Sequence, residues 1–531
     1  MAHIRLKNFR KYESLDSLNF NNINIFVGKN NAGKSTVVKA IMLVLDNIRS
    51  LRWKNVTSKE GMQSIIIAPK PLFRFDANDF HNLHIGTFER AKCNWLDDSR
   101  IAIALEYNGF EFEITVAGFM GDGQVSIPIE KLKLSLPSHS EYEFDFSKNT
   151  MTFSLGKKLT DDSSEELQKT VMLIDNEIAI TESELKQAAS NNDALKAAEE
   201  QQKLQKLIAR KRVLLSEQKQ QDKKNEVDSA TFNLSYYHDS IGENILVQYI
   251  KTFIYIADTP ISMKKNTKGY NDEVSKIQFL DENRKVIAEA AERLEKVLSN
   301  VYVDYIPAHA ATQKLILSIE DKQDINSRIV HEFYQENIQS GDTADRFIRK
   351  WLKEFEIGEN IKITPLDGEG YYVKVEIGDD EIHLADMGMG SIQLVILLMR
   401  LATIGHRSNS SLMPWWIIIE EPEQNLHPMI QSKLADLFES FTQIFCDSYM
   451  HTLFIETHSE YLIRKTQVLV ADNNYKTEDE LKENNSFKVF YFPSAKGKLP
   501  YEMEYRTDGN FSNEFGTGFF DEATQLLYKI L

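Results

Sequence analysis

The chain is 531 residues long, 42% hydrophobic, and carries 62 Lys plus Arg against 79 Asp plus Glu, a net charge of −17. That length and composition allow two or three domains with sizeable cores, and the acidic balance excludes a polycation that coats nucleic acid by charge alone, leaving only local basic faces. Cys93 and Cys446 stand far apart without metal-type spacing, which excludes a disulfide framework and a zinc site. The start lacks a signal-peptide apolar region and no apolar run reaches membrane-spanning length, so a soluble protein of a reducing cytoplasm is expected.

In chain order, His3 to Tyr12 alternates like a half-buried strand, and Leu18 to Phe26 predicts a second. The apolar run Ile23 to Val27 leads into Gly28-Lys29-Asn30-Asn31-Ala32-Gly33-Lys34-Ser35-Thr36, and Val37 to Leu45 has helical length with an apolar face. Strand, glycine-rich turn and helix are the context that makes G-x-x-x-x-G-K-[ST] a phosphate-binding loop. Gly28 and Gly33 let the backbone curl so that the N–H groups through Asn30, Asn31, Ala32 and Thr36 point inward. The helix N-terminus adds positive potential, Lys34 reaches the β- and γ-phosphates, and Ser35 offers a hydroxyl to Mg²⁺. Arg10 and Tyr12 are either contacts to this nucleotide or simply exposed side chains of an edge strand.

Further strands are predicted at Ile65 to Ala68, Arg100 to Tyr107 and Glu111 to Val116, completing a β-rich N-terminal lobe over 1–160. From Asp161 to Asp228 there is no Gly or Pro, and Leu167, Val171, Ile174, Ile178, Thr181, Leu185 and Ala188 recur at steps of four and three. This predicts an antiparallel coiled-coil hairpin over 161–228 with a first limb ~33 Å long, a single surface helix being the alternative. Lys206, Arg210, Lys211 and Arg212 on its second limb are either a solvated face or a contact to a nucleic-acid backbone. A second globular lobe is expected over 229–470, with a helix at Asp281 to Leu298, a strand at Tyr302 to Ile306 stopped by Pro307, a helix at Ala344 to Glu356, and strands at Ile361 to Thr364 and Tyr371 to Ile377. Residues 471–531 form a tail.

The second lobe supplies what a phosphate loop lacks. Trp415 to Glu420 is an apolar strand ending in adjacent carboxylates, Glu420 the candidate Mg²⁺ partner and Glu421 the candidate base for the attacking water. Pro428 suits the first turn of a following helix. A third strand, Thr452 to Glu456, delivers His458, either a sensor of the γ-phosphate or a structural histidine. Between loop and acids, Gly388-Met389-Gly390-Ser391-Ile392-Gln393 opens an apolar helix whose two glycines can bring bare N–H groups to a phosphate.

The order of phosphate loop, helical insertion, glycine-rich helix start, Glu-Glu strand and His strand resembles the ABC-type ATPase heads of the SMC and RecF proteins and their break-repair relatives. The resemblance implies an α/β fold, a P-loop ATPase head with an inserted short antiparallel coiled-coil hairpin, and ATP with Mg²⁺ as cofactors. It further implies that the signature segment of one protomer closes the nucleotide site of another. Gly388, Gly390, Ser391 and Gln393 are the signature residues, in a segment that departs from the usual Leu-Ser-Gly-Gly-Gln. Glu420 stands where the family usually has Asp, and the Gln-loop residue is open between Gln63 and Gln313.

The spellings Glu420-Glu421-Pro422-Glu423 and Leu426-His427-Pro428 look more like the OLD-type branch, whose nucleases, like the Gabija ATPase-nuclease, continue past the switch histidine into a TOPRIM domain with an Asp-x-Asp. Only a short stretch without Asp-x-Asp follows His458. The ending Gly516-Thr517-Gly518-Phe519-Phe520-Asp521-Glu522-Ala523 resembles that of the stand-alone defence ATPases of Septu systems, the PtuA family, including retron-associated ones. The implied protein is a regulated ATPase, a homodimer or higher oligomer, that controls a separate PtuB-like HNH nuclease. In retron versions a reverse transcriptase with its RNA–DNA product joins them. The alternative is a RecF-like repair ATPase that binds DNA directly.

Overall fold

The computed structural model describes residues 2–530 except 54–70, 77–84, 119–122, 138, 157–180, 182–227, 235–243, 260–268, 309–312, 322–323, 412–414, 446–450, 496 and 517–518. The coiled-coil hairpin expected over 161–228 lies almost entirely outside the described residues, as do the strand expected over 65–68, Gln63 and Cys446. The chain divides into two compact units, one of Met1–Leu132, Ser240–Gln248 and Ala291–Leu531, the other of Lys133–Asp239 and Tyr249–Ala290.

In the first unit, β1 (His3–Phe9) and β2 (Tyr12–Asn19) form a hairpin with Arg10-Lys11 as its turn, Arg10 lying at φ 49°. The turn falls inside the single strand expected over His3 to Tyr12. The second expected strand is broken as well. Asn24 accepts from the Asn21 N–H at 2.8 Å and donates to the Asn21 carbonyl at 2.7 Å, closing a small loop from which β3 (Ile23–Gly28) departs into a different sheet. After α1 (Lys34–Ser50), β4 (Arg100–Tyr107) and β5 (Phe110–Ala117) extend the hairpin into an antiparallel sheet of order β2-β1-β4-β5.

The other large sheet of this unit has the order β6 (Tyr302–Ile306), β7 (Trp415–Glu420), β8 (Thr452–Thr457), β3, β9 (Phe487–Phe492) and β10 (Tyr501–Met503). All pairs are parallel except β9 with β10. Trp415 to Ile419 reads as one unbroken apolar run because both faces of this sheet are covered. On one face Ile25, Val27, Ile417, Ile419, Leu453 and Ile455 meet residues of α3 (Met389–Ser411) and α4 (Pro428–Phe445). Several of the alternate residues are aromatic. Phe26, Trp416, Phe454 and Phe490 gather around Phe20, and Tyr107 of β4 packs on Trp416 with ring centroids 5.2 Å apart, which binds the antiparallel sheet to this face.

Contrary to the sequence expectation, Met389–Ser408 is long and apolar enough to cross a membrane by length and composition, but 78% of its most apolar stretch is buried in the fold. Its interior Arg400, 5% exposed, is held by Asp304 of β6 through Nε to Oδ2 at 2.7 Å and Nη2 to Oδ1 at 2.6 Å, and by Glu332 of α2 (Ile325–Gln335). Breaking one side of such a pair strands a charge in the core. Asp304→Ala should therefore lower stability by about 3–5 kcal/mol, read from urea unfolding.

In the second unit, Thr150–Leu155 pairs antiparallel with Ser140–Asp145 on one side and Asp228–Asn233 on the other. Phe144 and Phe153 pack against Tyr249 and Phe253, and Phe153 also meets Phe279. The helix expected from Asp281 is Arg284–Ser299, whose residues from Ala291 on belong to the first unit, and it is preceded by a separate helix, Tyr270–Glu282, whose end is closed by the Asn283 amide donating to the Phe279 carbonyl at 2.8 Å.

Candidate active site

The loop between β3 and α1 is built as its glycines require. Gly28 lies at φ 146° and Gly33 at φ 107°, and a Cβ on Gly33 would sit 2.5 Å from the Tyr12 hydroxyl. That hydroxyl donates to the Gly33 carbonyl at 3.2 Å, and Lys11 Nζ donates to the carbonyls of Ala32 at 2.6 Å and Pro493 at 2.9 Å. The β1–β2 turn thus clamps the loop from outside, and Tyr12, 2% exposed, is a structural cover rather than an edge-strand side chain. Asn30 and Asn31 remain exposed at the rim, Asn31 at φ 61°, while Ala32 and Thr36 are buried. No acid occupies the first turn of α1, so its N-terminus is open to an anion.

Lys34, 6% exposed, donates to the carbonyls of Gly28 at 2.9 Å and Lys29 at 3.3 Å, and its Nζ lies 3.2 Å from His458 Nε2. Burial pulls its pKa down, opposed by Glu456, Glu421, Glu423 and Glu420. His458 is likewise pulled down, by burial and then by Lys34, with Glu421 opposing. The imidazole is therefore neutral at neutral pH, with Nε2 accepting from Lys34. Its Nε2 is also 3.7 Å from Glu421 Oε1.

The acid that meets Ser35 was not singled out from the sequence. Ser35 Oγ donates to Glu456 Oε2 at 2.8 Å, and Glu456 stands directly across from Glu420 in the β7–β8 register. Parallel pairing puts the two carboxylates on the same face, side by side at the ends of their strands. Burial, then Glu420, push Glu456 up to about 8. Its Oε1 is buried without a hydrogen-bond partner. One hydroxyl and two carboxylates, one with an orphaned oxygen, are the hard-oxygen set that suits Mg²⁺. A charged residue inside the buried strand Thr452–Thr457 was the available signal; only the register gives it a role.

In metal-free buffer the raised pKa has a consequence for stability. Between the ordinary glutamate value of 4.5 and about 8 the folded chain keeps a proton on Glu456 that the unfolded chain has lost, so stability falls as pH rises through that window and levels off above it. Glu456→Gln should raise the thermal midpoint at pH 8 in metal-free buffer and leave it nearly unchanged at pH 4. Equal shifts at both values would contradict the protonated Glu456.

Glu421 follows β7 at φ 46°, with its N–H bonded to the Glu456 carbonyl at 2.7 Å and its carboxylate accepting from Gln424. Buried Glu423 accepts from the His458 N–H at 2.6 Å and so fixes where β8 delivers the histidine. The loop lysine, Ser35, Glu420, Glu421 and His458 are thus brought together at the ends of three neighbouring strands.

Beside them opens a cleft of about 770 Å³ with Arg10, Lys11, Lys34, Lys39, Arg90, Lys92 and Lys498 in its lining against, among the described residues, the single acid Glu13. Burial and Arg90 pull the pKa of Arg10 down, and burial and Arg10 do the same to Lys39. Crowded, partly desolvated cations of this kind suit a polyphosphate. Trp95, 43% exposed, and Leu499 add apolar surface to the cleft. Of these cations only Arg10 and Lys34 were singled out from the sequence.

Gly388, Gly390, Ser391 and Gln393 do not line this cleft. Gly388 is exposed, and a Cβ there meets nothing within 4 Å. Gly390 is a glycine for its own chain's sake, since a Cβ would lie 2.6 Å from the Asn425 carbonyl. Gln393 is buried and donates to the carbonyls of Glu421 at 3.3 Å and Pro422 at 3.1 Å, so its amide braces the turn that follows β7 in its own chain. Gln313 donates to the Met387 carbonyl at 3.2 Å, beside this segment and away from the cleft.

A family model described as AAA ATPase domain, AAA_15, matches residues 1–463. No curated protein matches the chain. Among solved structures it is similar to the Smc head domain of Pyrococcus furiosus, with an extended coiled coil and bound to the C-terminal domain of ScpA, at 13% identity over 100% of both chains and a TM-score of 0.33. The recombination mediator protein RecF-ATPrS of the RecFOR pathway is similar at 9% identity over 94% of this chain and 97% of that one, with a TM-score of 0.29. The family match takes in the phosphate loop, both strand-end acids and His458. The chain belongs to the AAA ATPase domain family and is an ATP-hydrolysing enzyme with a P-loop α/β head.

Proposed function

We propose that this ATPase pairs with a second copy through ATP and that, in a Septu-type anti-phage system, the pairing controls a separate HNH nuclease. The observation that carries the pairing is the position of Gly388 to Ser391, a glycine-rich helix start that stays outside its own chain's cleft. Brought by a second copy, those N–H groups would complete the ring of donors around the triphosphate. Ser35, Glu456 and Glu420 would hold Mg²⁺, which offsets the charge that builds on the transferring phosphoryl group. Glu421 takes the proton of the attacking water.

Lys34 is hydrogen-bonded to His458. A γ-phosphate that draws Lys34 to itself releases the imidazole, so the end of β8 registers whether ATP or ADP is bound. The nuclease partner rests on the resemblance of the ending Gly516 to Ala523 to the PtuA family, with a retron reverse transcriptase and its RNA–DNA product as a further partner in that setting. Affinity purification of the tagged chain from its host, with and without a non-hydrolysable ATP analogue, tests this. An HNH protein in fixed stoichiometry supports the reading. Recovery of DNA with no nuclease subunit contradicts it and favours a RecF-like repair role.

A further inference from the structure

A second cleft, of about 620 Å³, lies among the starts of β6 and β7, the last turn of α1, and the flanks of α2 and α3. Because β6, β7, β8 and β3 run parallel, strand starts lie at the opposite edge of the sheet from the phosphate loop, which follows the end of β3. Four arginines line it, Arg49, Arg328, Arg400 and Arg407, against two carboxylates, Asp304 and Glu332. In a chain with a net charge of −17 this local excess of cations does not follow from composition.

Both acids are already engaged. Asp304 takes two bonds from Arg400, Glu332 Oε2 takes Arg400 and, at 3.1 Å, Arg407, and Arg407 also donates to Glu336 at 2.6 Å. Arg328 is left over. Its Nε is buried with no hydrogen-bond partner, and its closest ion-pair distance is 3.9 Å, to Glu332 Oε1. Burial, with Arg400 beside it, pulls its pKa below the ordinary arginine value in spite of Asp304. A guanidinium N–H taken out of water without an acceptor costs free energy that a bound anion would return if it engaged that group. Next to it the Tyr302 ring packs on Trp415 with centroids 4.9 Å apart, giving the cleft an aromatic wall. The volume falls in the range of small-molecule sites.

We propose that this cleft binds a phosphate monoester of nucleotide size, with Arg328 as the principal donor to the phosphate and the Tyr302–Trp415 wall facing the rest of the ligand. A monoester presents three terminal oxygens to a guanidinium, where a diester presents two. Such a group comes either from a free mononucleotide or from the 5′ end of a nucleic-acid strand.

Calorimetry on the Lys34→Ala chain, whose phosphate loop no longer competes, tests this with adenosine 5′-monophosphate and with adenosine. The same titration on the wild-type chain saturated with a non-hydrolysable ATP analogue needs no substitution. One monophosphate should bind per chain and adenosine should not, with affinity at least about tenfold weaker in Arg328→Gln and a smaller loss in Arg328→Lys, which keeps the charge but not the fork. A 5′-phosphorylated oligonucleotide that binds more tightly than the monophosphate, with its 5′-hydroxyl counterpart inert, assigns the strand end as the source; weaker binding assigns the free nucleotide. No binding by any of these probes, or binding that Arg328→Gln leaves unchanged in a chain with unaltered thermal midpoint, overturns the proposal.

Discussion

Lys34→Ala is expected to weaken ATP binding by about a hundredfold or more, because at least one strong charge-assisted contact to the β- and γ-phosphates is lost, and each ~1.4 kcal/mol is a factor of ten. The surroundings enlarge the effect. Lys34 is a cation set among Glu420, Glu421, Glu423 and Glu456, so its removal leaves more uncompensated acid facing an incoming polyanion. Its partner His458, neutral, cannot take over that charge. Calorimetry with ATP measures the loss directly, and an affinity unchanged from wild type would remove Lys34 from the site.

Glu421→Gln separates binding from turnover. The amide keeps the size of the side chain and can still meet Gln424, but it cannot accept a proton from water, so turnover should fall by about 10²–10⁴ while ATP stays bound. The carboxylate of Glu421 is not part of the Ser35–Glu456 contact, which is why nucleotide affinity should survive. Phosphate release measured alongside ATP retention gives both quantities in one preparation. Turnover within a few-fold of wild type would mean that another group activates the water.

Much of the head was legible because its signals are local. Gly28, Gly33 and Lys34 sit between an apolar strand and an apolar helix, and the runs ending at Glu420 and His458 declare buried parallel strands. What was missed depends on how distant segments meet. Glu456 gains its place beside Ser35 only through the pairing of β8 with β7 and β3, and a one-residue slip would have turned it to the other face. The breaks after Phe9 and Asn19 come from a two-residue turn and from the Asn24 side chain, each a local device that an alternating pattern conceals. Lys11 and Tyr12 became loop clamps through that same turn. The reason for a glycine at Gly390 lies in Asn425, thirty-odd residues away, and no spacing rule reports it.

A nucleotide site shared between two copies is tested most directly by mixing two inactive chains. Gly388→Glu is the better lesion in the signature segment, because a side chain there meets open space whereas one at Gly390 would strain its own fold. Paired with Lys34→Ala chains, it should place both lesions in one composite site and neither in the other. Each variant alone is expected to be nearly inactive, and the mixture should recover roughly a quarter of wild-type turnover, since about half of randomly formed pairs are mixed and each keeps one of two sites. No recovery in verified mixed dimers would contradict a shared site and place hydrolysis wholly within one chain.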